Sequence, residues 1–329
     1  MERRPTIRDV ARKANVSPTT VSRVLNGDDA HHMRPETKQR VLQALKELGY
    51  VPNKAARVLR RRSTGVIALL LPDISNPFFA CLARGAAMVA FQHNASTLIC
   101  DSEHSLEKET RYLDILMEES VDGLIFIPVG RPNEEKLRRL CQFGVKVVLA
   151  DRRIDGWPVI EADNFGGAYK LTEYVLSLGY SRIAYIAGPP TVSTAKDRLD
   201  GFSAAMKACG KVPVEIVYGD FTFEAGYNLA QQILHVHSVD AILCGNDLMA
   251  IGSLYAAKEL GISIPNDLGI AGFDQIPYAN LVHPPLTTAR VPAFEIGQEA
   301  ASALFTSSEI QGKKLEVEII LGGTCVPRR

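Results

Sequence analysis

Apolar residues recur along this chain with two different rhythms. Between residues 6 and 50 they fall at helical spacing: Val10, Ala11 and Ala14 in the first stretch, Val21, Val24 and Leu25 in the second, Val41, Leu42, Leu45 and Leu48 in the third. Each stretch carries its own start signal. Thr6 precedes the first helix with Asp9 three residues on, Ser17 precedes the second with Pro18 in its first turn, and Pro35 opens the third, which Gly49 closes. The turn through Asn15 and Val16 is tight, and none of these helices is long enough to be stable alone in water. They must therefore share one small core, a helix-turn-helix followed by a third helix.

From Gly65 onward the pattern changes to short continuous apolar runs. "VIALLLP", "STLIC", "GLIFIP" and "VKVVLAD" alternate with helical spans, and "RIAYIAG", "EIVYGD", "AILCGN" and "LGIAGFD" repeat the alternation. Runs without polar alternation are strands covered on both faces, which is how parallel sheets are built. The expected fold is α/β: an N-terminal all-helical helix-turn-helix headpiece plus a two-subdomain body with parallel sheets. Residues 1–50 form the headpiece and 51–62 a linker; 63–161 and 162–290 form the two subdomains.

Charge adds a functional clue. The chain of 329 residues is formally neutral, with 37 basic and 37 acidic residues, yet residues 1–62 hold 15 of the former and 6 of the latter. A headpiece of net +9 joined to a body of net −9 is the balance of a polyanion-binding module on a mildly acidic domain. The start "MERRPTIRDV" lacks an apolar run of signal length, so a cytoplasmic protein is expected. The six cysteines form no CxxC pair and lie in or beside apolar runs, which predicts reduced core thiols.

The second helix has the face a major groove requires. Short polar groups let the backbone approach base edges, and Pro18, Thr19, Thr20 and Arg23 supply that side. Ser17 and Ser22 suit phosphates or local caps, and Asn26 at the far end belongs to the same DNA-facing set. The linker "NKAARVL" is too short to hold a helix in water, so its ordering must come with binding. Leu59 there is an apolar side chain among arginines, suited to unstacking a base step, with Arg57, Arg60, Arg61 and Arg62 beside phosphates. The adjacent His31 and His32 lack further ligands for a metal and read as a solvated or phosphate-facing loop.

In the body, the chemistry gathers at strand ends. Asn76, Phe78 and Phe79 follow the first strand, Asp151 and Arg152 follow the fourth, and Thr194, Arg198, Phe221, Asn246 and Asp274 hold comparable places in the second unit. Ligands of open α/β sheets bind beyond the carboxyl ends of strands. Carboxylates, guanidiniums and amides divide the donor and acceptor sides of sugar hydroxyls, while aromatic rings cover the C–H faces. No Gly-Lys-Ser/Thr phosphate loop, HExxH or GxSxG occurs, so these residues read as a binding site without a catalytic set, metal or cofactor.

"TIRDVARKANVSPTTVSRVLN" together with "ELGYVPNKAARVLR" resembles the headpiece and hinge of the lac repressor family of bacterial transcription regulators, and the likeness continues through almost the whole chain. The resemblance implies a homodimer on a pseudo-palindromic operator, with a hinge helix in which Leu59 wedges into the minor groove and Ala56 allows close helix approach. It also implies that about 291–320 returns to complete the first subdomain while about 321–329 joins the second. The body resembles ribose-binding periplasmic proteins at the strand-end positions named above, which implies a small ribose-like sugar as effector. Purine-responsive relatives carry an arginine where this chain has Val192, which disfavours a purine. Control by a sugar phosphate, or by a phosphorylated transport-protein corepressor, is the alternative that this reading leaves open.

Overall fold

The computed structural model describes residues 5–26, 33–50, 63–130 and 134–328. His31 and His32, and the linker residues Ala56, Arg57, Leu59, Arg60, Arg61 and Arg62, lie outside the described residues. The chain divides into two compact units, Met1–Thr64 and Gly65–Arg329.

In the first unit, helices α1 (Ile7–Ala14), α2 (Pro18–Asn26) and α3 (Pro35–Glu47) follow the expected start signals. The Thr6 amide donates to Asp9 at 2.8 Å while the Asp9 amide donates to Thr6 Oγ1 at 3.4 Å, a reciprocal cap that fixes the first turn. Asn15 ends α1 in the left-handed region at φ 51°, and the Val16 amide then turns back to the Ala11 carbonyl at 3.0 Å. Ser17 Oγ accepts the Thr20 amide at 3.1 Å and starts α2. Val10, Ala11, Ala14, Val21, Val24, Val41 and Ala44 make the shared core. Leu42, expected in the apolar stripe of α3, is instead 49% exposed. The stripe runs through Val41, Ala44, Leu45 and Leu48, and a residue one step from Val41 lies about 100° round the helix.

The second unit holds two six-stranded sheets of the same strand order. Its first lobe alternates β1 (Val66–Leu71), α4 (Pro77–Gln92), β2 (Ser96–Asp101), α5 (Leu106–Glu118), β3 (Gly123–Phe126), α6 (Glu134–Gln142), β4 (Lys146–Ala150) and β5 (Val159–Ala162). Its second lobe follows with α7 (Asn164–Ser177), β6 (Ile183–Ala187), α8 (Ser193–Ala208), β7 (Glu215–Tyr218) and α9 (Phe223–Val236). The same lobe continues through β8 (Ala241–Cys244), α10 (Asp247–Glu259), β9 (Gly269–Asp274) and β10 (Thr287–Arg290). The chain then returns: α11 (Ala293–Phe305) and β11 (Lys313–Leu315) serve the first lobe, and β12 (Glu318–Ile320) serves the second. The strand orders are β11-β5-β4-β3-β1-β2 and β12-β10-β9-β8-β6-β7. In each sheet the order reverses beside the lobe's first strand, the place where open α/β sheets leave a crevice at their carboxyl ends.

Among the described residues every strand pairing is parallel except β10 with β12, where Thr288 faces Ile320 and Ala289 faces Ile319. The return to the second lobe thus occurs at residues 316–317, earlier than the boundary near 320 read from sequence. The segment "KKLEVEII" divides between the edges of two sheets, a division its apolar pattern does not mark.

The returning α11 packs backbone to backbone on α4. A Cβ on Gly85 would strike the Phe294 carbonyl, and one on Gly297 would strike the Leu82 carbonyl. Leu82, Ala86, Ile296, Ala300 and Leu304 join the core so formed. All six cysteines are free: Cys100, Cys244 and Cys325 are buried, Cys81 is half-buried, and Cys141 and Cys209 are exposed, contrary to the expectation of six core thiols. The last two sit near helix C-termini on solvent-facing sides. No described helix is long and apolar enough to cross a membrane.

Candidate functional site

The carboxyl ends of both sheets face one narrow cleft, and all ten strand-end residues singled out in the sequence line it. Each is buried. From the first lobe, Asn76 caps α4 by accepting the Phe78 amide at 3.0 Å, which places Phe78 and Phe79 side by side with ring centres 5.2 Å apart and planes at 79°. Asp151 and Arg152 follow β4, and Arg152 Nη1 donates to the Pro128 carbonyl at 2.9 Å while its guanidinium lies 5.6 Å from the Phe79 ring centre.

From the second lobe, Thr194 and Arg198 lie on α8. Arg198 Nε donates to Asn164 Oδ1 at 2.8 Å, Nη1 donates to the Gly245 carbonyl at 2.7 Å, and the guanidinium stacks 4.1 Å from the Phe273 ring centre. Asn246 caps α10 by accepting the Met249 amide at 2.9 Å and donates from Nδ2 to the Phe221 carbonyl at 2.9 Å. The Phe221 ring fills the place where Gly188 would carry a side chain. Three lining residues hold unusual backbone angles: φ is 60° at Asp151, 65° at Phe221 and 111° at Asp274. Such conformations are costly for residues with a Cβ and gather where side-chain direction matters more than stability.

Polar satisfaction inside the cleft is incomplete. Asp151 Oδ1, Arg152 Nε and Asp274 Oδ1 are buried without a hydrogen-bond partner. Arg198 Nη1 approaches Asp274 Oδ1 to 3.0 Å, an ion pair across the floor of the second lobe's half of the cleft. Asp151 Oδ2 lies 3.8 Å from Arg152 Nε. Burial raises Asp274 to about 7 against the pull of Arg198, with Asp151 adding to the rise. Burial likewise pushes Asp151 up, opposed by Arg152 and Arg198, and pushes Arg152 down, opposed first by Asp151. Charges with unmet hydrogen-bonding capacity are costly to bury, and polar ligand groups would relieve that cost.

Further residues emerge that the sequence reading did not select. Asp73 and His104 also line the cleft, with His104 Nε2 3.8 Å from Asp73 Oδ2. Behind Arg152, the buried Glu109 accepts the Val129 amide at 2.7 Å, and burial raises it to about 7. Its position four residues before Leu113 put a charge on the apolar stripe of α5, a signal available in the sequence. Asp247 accepts the Ile276 amide at 2.8 Å and the Thr288 hydroxyl at 2.5 Å. It therefore braces the loop after Asp274. Burial and the neighbouring Asp274 push its carboxyl well above the usual range.

In the headpiece, Ser17, Pro18, Thr19 and Arg23 of the DNA-facing set are exposed, while Thr20 and Ser22 are half-buried. The Thr20 and Ser17 hydroxyls lie 2.9 Å apart in a mutual hydrogen bond, so these two serve the start of α2 as well as its surface. The backbone of Asn26 ends α2.

A helix-turn-helix headpiece joined to a two-lobed receptor with a polar cleft defines a ligand-responsive DNA-binding regulator. Comparison with known proteins agrees over nearly the full length. A family model described as periplasmic binding proteins and sugar binding domain of LacI family matches residues 64–319, and one described as bacterial regulatory proteins, lacI family, matches residues 6–53. A ribose operon repressor of Halalkalibacterium halodurans is 38% identical over 313 residues, covering 94% of this chain and 92% of that protein. The lac repressor dimer bound to operator and the anti-inducer ONPF superposes with a TM-score of 0.88 at 25% identity, over 98% of this chain and 100% of that one. A LacI family regulator from Enterococcus faecium with bound ribose gives 0.73 at 28% identity, over 80% and 100%. The chain belongs to the LacI family: it is a sugar-responsive, DNA-binding transcriptional regulator of the repressor type, not an enzyme.

Proposed function

We propose that this regulator binds a neutral, ribose-like monosaccharide in the cleft and that occupancy changes its affinity for a pseudo-palindromic operator. The observation that carries the reading is the set of three buried charged atoms, Asp151 Oδ1, Asp274 Oδ1 and Arg152 Nε, that retain unused hydrogen-bonding capacity beside their ion pairs and converge on one cavity from both lobes. Two anionic acceptors and one cationic donor match hydroxyl groups, each of which can donate and accept. Phe78, Phe79 and Phe221 supply apolar surfaces for the sugar's C–H faces, and Asn76, Thr194, Arg198 and Asn246 complete the lining. A sugar phosphate fits less well, because Asp151 stands against Arg152 and Asp274 against Arg198, leaving a dianion to face two carboxylates.

Because the ligand touches both lobes, it favours one lobe spacing over others, and by linkage sugar and operator change each other's affinity by one reciprocal factor. The resemblance to the ribose operon repressor supports release of the operator as the outcome, in the cytoplasm where the nucleoid lies. On the operator, Pro18, Thr19, Thr20 and Arg23 read base edges, with Ser17, Ser22 and Asn26 beside them, while Leu59 wedges into the minor groove, Ala56 allows close helix approach and Arg60 stands beside phosphates.

Calorimetric titration of the full chain with ribose, other monosaccharides, their phosphates and purines, with and without a selected operator, tests the proposal. Ribose or a close neutral relative is expected to bind, with unequal affinities in the two series. Equal affinities would remove the allosteric claim; selective binding of a phosphate would replace the neutral sugar; binding to operator only beside a phosphorylated transport protein would replace direct sensing. Arg23→Ala is expected to cost roughly 1–3 kcal/mol of operator affinity and to relax preference at one base position, whereas equal loss on random DNA would assign Arg23 to the backbone.

A further inference from the structure

Arg153 follows Arg152 in the chain, and Asp197 precedes Arg198. Each lobe thus carries a second charged side chain directly beside one that faces the cleft, and these second residues meet. Arg153 Nη1 and Nη2 donate to Asp197 Oδ2 and Oδ1 at 2.5 and 2.6 Å, a two-pronged pairing between the loop after β4 in the first lobe and α8 in the second. Arg153 Nη1 also donates to Glu161 Oε2 at 3.0 Å on β5 of its own lobe, and the Arg153 amide donates to Ser193 Oγ at 3.1 Å on the first residue of α8. Arg153, Glu161, Ser193 and Asp197 all lie outside the cleft lining.

The partners divide the work. Glu161, its side chain 10% exposed, holds the guanidinium to the first lobe and aims its fork; Asp197, at 18%, receives it from the second. A guanidinium bonded to a carboxylate through two nitrogens fixes direction as well as distance, which a lysine in its place would not do. The segments so fixed are the ones that present Arg152 and, on α8, Thr194 and Arg198 to the cleft.

We infer that Arg153 and Asp197 are positioning residues for the effector cleft: their strap across the lobes holds the sugar-binding arms at working distance, and so sets effector affinity without touching the effector. The inference rests on the sugar-cleft reading for its effect on affinity, but not for its effect on lobe spacing. If the strap favours the narrow spacing, loosening it lowers the population of the binding-competent form, and apparent affinity falls by the same fraction.

Asp197→Asn in the full chain is the test. It removes one charge and leaves Arg153 paired with Glu161, so no buried cation is stranded. Two readouts are taken. Ribose calorimetry is expected to show affinity about tenfold weaker. Spin labels on the exposed Cys141 of the first lobe and Cys209 of the second are expected to report a longer or broader separation in the sugar-free variant. Asp197→Glu, which restores the charge, should recover most of both effects, and Arg153→Gln combined with Asp197→Asn should do no more harm to affinity than the worse single change. An unaltered label separation in a folded Asp197→Asn protein overturns the strap, as does unaltered ribose affinity. If even the parent chain fails to bind ribose, the sugar reading fails while the label separation still decides the strap. Should Asp197→Asn unfold by circular dichroism, Arg153→Lys keeps the charge but gives up the two-pronged pairing, and an unaltered label separation there overturns the inference equally.

Discussion

The two lobes share one strand order yet prepare their halves of the cleft differently. In the second lobe, Arg198 is bonded to Asn164 and to the Gly245 carbonyl and stacked on Phe273, and Asn246 bonds the Phe221 carbonyl while capping its own helix. In the first, Arg152 has one hydrogen bond, to the Pro128 carbonyl, and both Asp151 Oδ1 and Arg152 Nε stand unpartnered. The second lobe braces its arginine and amide and leaves only Asp274 Oδ1 of its cleft atoms without a hydrogen bond, whereas the first leaves both Asp151 Oδ1 and Arg152 Nε for the ligand. A shared fold therefore does not impose a shared division between stability and binding.

Alanine replacement of the two arginines probes this contrast most strongly. Arg198→Ala strips donors from Asn164 and Gly245 and leaves Asp274 without its counter-charge, so a stability loss of roughly 3–5 kcal/mol is expected in denaturant titration of the apo protein. Arg152→Ala is expected to cost less, roughly 1–3 kcal/mol, because it gives up a single hydrogen bond, to the Pro128 carbonyl, where Arg198 gives up two and its stacking on Phe273. Equal losses would mean that the lobes are equally braced.

Amide replacements sharpen the contrast at smaller magnitude. Asp151→Asn is expected to weaken sugar binding by roughly 1.5–3 kcal/mol, the worth of a charged hydrogen bond, while leaving apo stability unchanged or slightly raised as a desolvated charge disappears. Asp274→Asn should cost similar affinity but bring no gain in stability, since it also removes the partner of Arg198. Calorimetry together with thermal melts separates the two outcomes, and a stability gain at Asp274 would break the distinction.

The gentlest probe is pH. Asp274 and Glu109 have folded-state values near 7, above those of unfolded carboxyls, so the native state binds more protons than the unfolded one between about pH 4 and 7. Their contribution to apo stability is therefore greatest below pH 4, falls as pH rises through that window, and is flat above it. Sugar hydroxyls donating to ionised Asp274 reverse the trend for binding: affinity should fall by up to about tenfold per unit as pH drops below 7. Sugar titrations in buffers of different ionisation heat should show proton release near pH 7, and its absence would detach Asp274 from the ligand.

Much of this organisation was legible in the sequence because its signals are local. Caps such as Thr6 with Asp9, the Asn76 and Asn246 helix starts, and polar residues just past apolar runs each announce themselves within a few positions. The strand-end rule thus brought together ten of the twelve residues that line the cleft, and missed Asp73 and His104. Leu42 and the β11 to β12 division escaped because neither one-residue offsets nor short edge strands are resolved by apolar pattern alone. Arg153 and Asp197 escaped for a different reason: they are 44 positions apart, and nothing near either one in the chain marks the other as its partner.

The glycine-to-carbonyl seam between α4 and α11 also governs the order in which the protein can be made. Its halves lie at residues 77–92 and 293–305, so a chain leaving the ribosome exposes the apolar side of α4, with Leu82, Ala83, Ala86, Val89 and Ala90, long before its cover exists. At roughly 5–20 residues per second the wait is on the order of tens of seconds, ample time for sticky surface to find a wrong neighbour. The lobe begun first stays open until nearly all of the second has been made, and nascent chains stalled before residue 293 should be the ones that engage chaperones most avidly.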